Sequence, residues 1–183
     1  MSTGAQPVRT SPSACCPRGE KETLPKALRA IQTFVNRHYP DRPFLGVGAL
    51  IVDGCRVLLC RRGKPPYVGF WSLPGGLVEL GEPVVDALHR EVREETGLEV
   101  SIIRLAEVYE RITADEAGRT EYHFVLLDYL CRVESGTLKA GDDAAEVCWF
   151  AATELASLEI TPGSLAVIER ALNTHEPLES RPS

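Results

Sequence analysis

Three glutamates lie within five residues of one short stretch, and they are the strongest chemical signal in this sequence. The stretch reads REVREETG, with Glu91, Glu94 and Glu95 at positions i, i+3 and i+4. In an α-helix these positions share one flank, where like charges repel by roughly 0.2–0.5 kcal/mol per pair. Carboxylate oxygens clustered in this way suit a hard divalent cation, Mg²⁺ or Mn²⁺, which would remove the repulsion.

The helix that must carry this cluster is predicted over 83–96. Pro83 is typical of the start of a helix, and Gly97 is well placed to end one. At about 100° per residue, Glu95 falls inside the apolar face, Glu91 lies at its edge, and the third glutamate lies just beyond. The predicted apolar face consists of Val84, Val85, Leu88 and Val92.

Two interpretations of the glutamates remain open at this point. A carboxylate held against a sheet without a partner costs several kcal/mol or becomes protonated, which favours a bound cation. Alternatively, the arginines neutralise the cluster, since Arg90 reaches Glu94 at i+4 and Arg93 can turn toward its neighbours. The preceding segment LPGGLVELGE favours the metal, because glycine backbone can approach an ion closely and offer a carbonyl ligand.

Length, composition and charge restrict the class of protein. A chain of 183 residues with 44% hydrophobic residues is long enough for one domain with a sizeable core. A net charge of -6 argues against binding nucleic acid through its phosphates, which needs a basic face. No apolar run approaches the length of a membrane span, so we expect no membrane partner and a cytoplasmic location.

The pattern along the chain predicts a mixed α/β domain, a sheet with helices packed on its faces. We expect a disordered tail over 1–22, an amphipathic helix and linker over 23–42, the domain over 43–176 and a second tail over 177–183. A hairpin turn is predicted at Asp53-Gly54. Predicted strands span 44–52, 55–61, 100–112, 120–133 and 146–150; a loop spans 63–76; and later helices lie near 151–157 and 163–173.

At this point the sequence resembles a known family. Gly76, five residues, Glu82, seven residues and then REVREETGL match every fixed position of a Nudix box. This box is the signature of hydrolases that act on nucleoside diphosphates linked to another moiety. The resemblance extends more loosely over about 43–175, and it implies an α/β/α sandwich with a mixed sheet.

The resemblance also implies roles for individual residues. By position, the implied metal ligands are Glu91, Glu94, Glu95 and the carbonyl of Gly75. The implied catalytic residues are Glu94, Glu95, Arg90, which would orient the glutamates, and Glu146. Supporting positions are Gly76, Glu82 and Gly97. Members often recruit a further acid outside the box; Glu146 is favoured because it opens a strand after an acidic loop, and Asp142, Asp143 and Glu110 are alternatives.

Substrate contacts are predicted beside the second strand. The candidates for a second phosphate or terminal group are Arg61, Arg62 and Lys64, although ordinary surface charge explains each equally well. The aromatic residues available to stack on a base are Tyr67, Phe70, Trp71, Tyr109 and Tyr122. For Trp71 we favour core packing at the base of the loop.

Two further stretches, EYHFVLLDYL and GDDAAEVCWF, resemble the bacterial ADP-ribose pyrophosphatase branch. This resemblance implies ADP-ribose as substrate, with AMP and ribose 5-phosphate as products. Clean-up of an oxidised nucleoside triphosphate such as 8-oxo-dGTP is the alternative, and NADH or a dinucleoside polyphosphate remains open. A non-catalytic module that senses a nucleotide is the alternative of another class. The resemblance and the additional N-terminal helix lead us to expect a homodimer.

Overall fold

The computed structural model describes residues 37–65, 67–141 and 144–173. The tails predicted over 1–22 and 177–183 lie outside these residues, as does all but the end of the segment predicted over 23–42. The described part begins with irregular chain that joins the sheet at once, since the Tyr39 amide donates to the carbonyl of Glu121 at 2.9 Å.

The first two strands form the predicted hairpin, but its turn lies at Gly54-Cys55, one residue later than predicted, because Asp53 still pairs with Arg56. Strand β1 spans Phe44–Asp53 and strand β2 spans Arg56–Arg62, and the two pair antiparallel beside the turn. Gly54 adopts a φ of 60° in this turn, a conformation that glycine reaches without steric cost. The centre of β1 is buried on both faces, so helices can pack against it from either side.

The other strands extend the hairpin into a mixed sheet of seven strands. They are β3 (Trp71–Ser72), β4 (Gly75–Leu77), β5 (Leu98–Ala114), β6 (Thr120–Gly136) and β7 (Ala144–Ala151). Strand β1 pairs parallel with β6 and antiparallel with β4, and β6 pairs antiparallel with β5. Strand β2 pairs antiparallel with both β3 and β7. The sheet therefore divides at the hairpin into a β4-β1-β6-β5 part and a β3-β2-β7 part.

Helices cover both faces, which confirms the predicted fold class. Helix α1 (Val84–Thr96) buries Leu88 and Val92 against one apolar cluster, which includes Ile51 of β1. Helix α2 (Ser164–Asn173) buries Val167 and Ile168 in a second cluster on the other face. Each cluster removes apolar side chains from water and fixes a helix relative to the sheet.

Three further details of the sequence prediction are wrong. The segment 63–76 is not all loop, because it contains β3 and β4, which are short enough to escape a pattern search. The helix predicted near 151–157 is a turn followed by one 3₁₀ turn, Leu155–Ser157. Val85 is 44% exposed instead of buried, because the first turn of α1 is largely open to solvent, and Ala87 is buried instead.

Within the described residues, no helix is long and apolar enough to cross a membrane. The cytoplasmic location stays a prediction.

Candidate active site

A single arginine ties the loop after β4 to helix α1. The Arg90 guanidinium donates from Nε to Oε1 of Glu82 at 2.8 Å and from Nη2 to Oε2 of Glu82 at 2.9 Å. Nη2 also donates to the carbonyl of Leu77 at 3.1 Å. The hydrogen bonds from Arg90 lower the pKa of Glu82 to about 2, and those from Glu82 raise the pKa of Arg90. The loop and the helix are therefore joined by a planar, two-pronged ion pair.

The same arginine holds the first glutamate of the cluster. Nη1 of Arg90 donates to Oε1 of Glu91 at 2.8 Å, and the Glu91 side chain is 15% exposed. A Cβ atom at Gly76 would lie 2.3 Å from Oε1 of Glu91, so only glycine leaves room for this carboxylate. Gly75 has a φ of 152°, and a Cβ there would lie 2.1 Å from the carbonyl of Val47. In strand β4, Gly75 therefore permits close approach of backbone to backbone, and Gly76 leaves space for the Glu91 carboxylate.

Glu95 is partly buried, as is Glu91. Its Oε2 accepts a hydrogen bond from the amide of Gly75 at 2.9 Å. Burial raises the pKa of Glu95 to about 7, the Gly75 amide opposes this, and the charge of Glu91 adds to it. Glu94, by contrast, has a side chain that is 60% exposed. The helical projection correctly placed Glu94 outside the buried face.

The carboxylates of Glu91, Glu94 and Glu95 are suitable ligands for a divalent cation, but their oxygens do not lie close enough together to form a complete coordination site. Among the residues the structure describes, no three His, Cys, Asp or Glu side chains converge on one point. Arg90 contacts Glu91 and, at 3.5 Å, Glu94, so the arginine alternative is partly realised; Arg93 pairs with Glu99 instead. The remaining deficit of positive charge lies at Glu95, where hard oxygen donors would favour Mg²⁺ or Mn²⁺.

Glu91 and Glu95 open onto a cleft between the two parts of the sheet, whereas Glu94 is not among its described lining residues. The side chains that line it are of three kinds: cationic, acidic and aromatic. Its described cationic residues are Arg37, Arg61, Arg62, Lys64 and Arg111. Its described acidic residues are Glu91, Glu95 and Asp128, and its described aromatic residues are Tyr67, Tyr109 and Phe124. The cleft therefore offers both metal-ligand chemistry and phosphate-binding chemistry.

The residues predicted to contact substrate at this position all line the cleft: Arg61, Arg62, Lys64 and Tyr67. Burial lowers the pKa of Arg62, and the nearby charge of Glu95 opposes that shift. Tyr67 has a φ of 66°, rare for a residue with a side chain, and its ring lies 4.3 Å from the guanidinium carbon of Arg111. Arg61 donates to the carbonyl of Gly69 at 3.0 Å, which orients it along the loop.

The acids predicted outside the box lie in three different settings. Glu146 is on β7, where Oε2 lies 3.5 Å from Nη1 of Arg61, and it is not among the described residues of the cleft. Glu110 pairs with His123 at 3.1 Å and is also outside the cleft. Asp142 and Asp143 lie outside the described residues. The role of Glu146 stays a prediction.

Of the five aromatic candidates, one lies in the core and two line the cleft, whereas Phe70 and Tyr122 are among the described residues of neither. Trp71 packs edge-on against Phe150 with ring centroids 4.7 Å apart, in the core as expected. Tyr67 and Tyr109 line the cleft, as does Phe124, which the sequence reasoning missed. It also missed Arg37, Arg111 and Asp128. Arg111 and Asp128 lie on different strands, and only the register of β5 with β6 brings both to the cleft.

Comparison with known proteins identifies similar domains. The NUDIX domain family model matches residues 42–171. An ADP-ribose pyrophosphatase of Methanocaldococcus jannaschii is 38% identical over 116 residues, which cover 63% of this chain and 66% of that protein. A putative 8-oxo-dGTP diphosphatase 2 of Mycobacterium tuberculosis is 38% identical over 133 residues, 69% of this chain and 89% of that protein.

A solved structure of a NUDIX hydrolase has a similar fold. The MutT NUDIX hydrolase from Burkholderia pseudomallei superposes with a TM-score of 0.63 at 34% identity. The match covers 70% of this chain and 98% of that chain.

Proposed function

The chain belongs to the Nudix hydrolase family, whose members cleave phosphoanhydride bonds, and from this premise we propose that its substrate is ADP-ribose. Water would attack one phosphorus of the diphosphate, the bridging P–O bond would break, and AMP and ribose 5-phosphate would leave. The observation that carries the proposal is that one cleft is lined both by Glu91 and Glu95 and by a group of four arginines and a lysine.

Nudix hydrolases generally use divalent metal ions, and we propose Mg²⁺ or Mn²⁺ here. Glu91, Glu94, Glu95 and the carbonyl of Gly75 would hold the ion. When bound, it would neutralise charge on the diphosphate oxygens and lower the pKa of the attacking water. The buried, partly protonated carboxyl of Glu95 supports this assignment, because a neighbouring cation would favour its charged form.

The chain's own residues account for positioning and proton transfer. Arg90 holds Glu91 at the loop, and Glu82 holds Arg90 in turn. Glu94 is the most exposed glutamate of the cluster, so its carboxylate is suited to accept the proton of the attacking water. Glu146 remains the alternative base; its ion pair with Arg61 would have to open first.

Arg61, Arg62 and Lys64 supply charge for the second phosphate. Arg62 is the most enclosed of them, and its interaction with a phosphate would be strengthened by low local polarity. Tyr67 and Arg111 form a stacked pair at the cleft, which could flank a flat group of the substrate.

An oxidised nucleoside triphosphate is the second candidate substrate. It is favoured by the relative from Mycobacterium tuberculosis, whose name refers to 8-oxo-dGTP and which matches over 89% of its own length. The archaeal relative named for ADP-ribose is equally identical over a shorter match. Identity therefore does not separate the two substrates, and a direct comparison of rates is required.

The test is a panel of ADP-ribose, 8-oxo-dGTP, NADH and diadenosine polyphosphates, assayed with Mg²⁺ or Mn²⁺ and compared by kcat/KM. We expect ADP-ribose to give the highest value, with AMP and ribose 5-phosphate in equal amounts. A higher value for 8-oxo-dGTP would move the assignment to the second candidate. Binding of any of these without turnover would indicate a sensing module. Light scattering of the full chain would check the expected homodimer.

A further inference from the structure

One buried carboxylate of the cleft has no part in the metal site or in the phosphate-binding group. Asp128 on β6 is only 5% exposed, yet it lines the cleft. Its carboxylate has no hydrogen bond or ion pair with the other described residues, and neither of its oxygens is fully enclosed, so solvent in the cleft reaches both. A mostly buried carboxylate normally has a partner in the fold, so the lack of one at Asp128 calls for a physical explanation.

The register of three strands places this carboxylate. Asp128 lies beside Gly48 of β1 and beside Glu107 of β5. A Cβ atom at Gly48 would lie 2.2 Å from Oδ1 of Asp128, so the carboxylate occupies the space that a side chain at Gly48 would fill. Glu107 gives no help, since its own carboxylate accepts a hydrogen bond from Arg170 of α2 at 2.6 Å.

Keeping this group costs the folded state free energy. Burial raises the pKa of Asp128 to about 6, and the charge of Glu107 adds to the shift. The carboxylate is therefore mainly charged at neutral pH and poorly solvated. Hydrogen-bond donors brought by a ligand would relieve both effects.

The surroundings restrict what that ligand group can be. Phosphate is excluded as the partner because it would repel the carboxylate. On the same face of β6, Leu126 and Phe124 follow at alternate positions and also line the cleft. Tyr109 lies opposite Leu126 on β5 and packs against the start of α2, where a Cβ at Gly163 would be 2.5 Å from its ring. This surface is apolar and suits an uncharged, partly flat group.

We propose that Asp128 is a specificity-determining residue that accepts hydrogen bonds from two adjacent donors on the nucleoside part of the substrate. The inference rests on the proposed function, because it requires a nucleotide in the cleft. Two nucleoside groups carry such donors: the vicinal hydroxyls of the ribose, and the edge of a guanine-type base with its ring N–H and amino group. Both are matched by the two oxygens of one carboxylate.

The experiment compares the full chain with Asp128→Asn, which keeps the shape but replaces one acceptor by a donor. The control is Asp41→Asn, at a side chain that is 85% exposed and is not among the described cleft residues. Four compounds are used: ADP-ribose, its analogue without the adenosine 2′-hydroxyl, and the guanosine and inosine diphosphate ribose analogues. For each, Kd is measured by calorimetry without divalent ions, and KM and kcat with Mg²⁺.

We expect Asp128→Asn to raise Kd and KM by roughly tenfold for the compounds whose donors Asp128 reads, with a much smaller change in kcat. If the ribose is read, the wild type discriminates against the 2′-deoxy analogue and the variant does not. If the base is read, the wild type prefers the guanosine over the inosine compound and the variant loses this preference. The control should match the wild type throughout.

The inference is overturned if Asp128→Asn leaves every Kd unchanged, or weakens all four compounds equally. It is also overturned if kcat alone collapses, since that would make Asp128 part of the reaction. An inactive wild type that still binds with selectivity dependent on Asp128 would refute only the proposed function. If Asp128→Asn does not fold, the smaller neutral variant Asp128→Ser gives the same comparison.

Discussion

At the scale of single residues, one helix holds three chemically equivalent side chains in three environments. Glu91 is held by Arg90, Glu94 is largely exposed, and Glu95 is buried beside the amide of Gly75. The spacing along a helix accounts for this, because each residue turns the side chain by about 100° relative to a fixed sheet. Differences in burial then separate their pKa values and their suitability as ligand or base.

The first prediction concerns the glutamates. We expect Glu94→Gln and Glu95→Gln each to lower kcat by roughly 10²-fold or more, because an amide neither accepts a proton nor neutralises a cation well. Circular dichroism and melting curves should show a folded protein in both cases. Glu99→Gln is the control, since Glu99 pairs with Arg93 outside the cleft. Near-normal turnover in either active-site variant would refute the role of that residue.

The second prediction concerns the stability contributed by Asp128. Its pKa is about 6 in the folded protein against an ordinary value of 3.8, so the folded state binds the proton more tightly. Stability from this group is therefore present below about pH 4 and is lost as the pH rises through 6. Asp128→Asn removes that loss, and we expect it to stabilise the fold at pH 7 by up to about 3 kcal/mol.

Urea unfolding of both proteins between pH 4 and pH 8 measures this difference. The contributions of Glu107, Arg170 and Glu95 are present in both proteins, so the comparison largely removes them. The gain should shrink toward zero as the pH falls to 4. A variant that is less stable than the wild type at pH 7 would show that Asp128 has a stabilising partner in the fold.

At the scale of elements, the loop after β4 and helix α1 behave as one unit. Arg90 reaches from the helix to Glu82 and to the carbonyl of Leu77, and it also touches Glu91. Gly75 and Gly76 of β4 lie so close to β1 and to Glu91 that a side chain at either position would collide with them. The position of the glutamates relative to the loop carbonyls is thus set by contacts between two elements.

The third prediction tests this unit with a matched pair of substitutions. Arg90→Lys keeps the charge but loses the planar guanidinium that binds Glu82 through two hydrogen bonds. We expect kcat to fall by roughly tenfold to a hundredfold, as when the partner of a metal ligand is removed. Arg93→Lys makes the same chemical change at an exposed ion pair, where it should have little effect. Equal effects of the two substitutions on kcat would contradict the proposed role of Arg90.

At the scale of the whole molecule, the cleft exists because the sheet divides at the β1-β2 hairpin. Sheet residues such as Gly48 and Asp128 come from one part, and Arg61 and Arg62 come from the other. Helix α1 packs on one face and α2 on the other, so each contributes residues to a different side of the site. Substrate binding therefore depends on the relative position of the two parts.

The fourth prediction links metal binding to global stability. A ligand that binds only the folded state stabilises it, by about 2.7 kcal/mol at a concentration of 100 Kd. We expect Mg²⁺ or Mn²⁺ to raise Tm and EDTA to abolish turnover. The rise in Tm should be much smaller in Glu95→Gln, with NaCl at matched ionic strength as the control. An equal rise in that variant would place the stabilising ion somewhere other than at Glu95.

The sequence by itself determined the local features of this protein. Helix α1 begins and ends where Pro83 and Gly97 predict, the hairpin turns within one residue of Asp53-Gly54, and the exposure of Glu94 follows from helix geometry. These features depend on backbone preferences and on residues a few positions apart, so a short stretch of chain contains the necessary information. The spacing of the box residues identified the chemistry for the same reason.

Only the tertiary structure decided which distant residues share the cleft. Arg37, Arg111, Phe124 and Asp128 carry no local signal of function, and the register of β6 with β1 and β5 brings the last three to the same cleft. The exposure of Val85 and the short strands β3 and β4 likewise depend on what packs nearby. Pairing register and burial arise from contacts between residues far apart in the chain, and such contacts form only when the whole fold closes around its core.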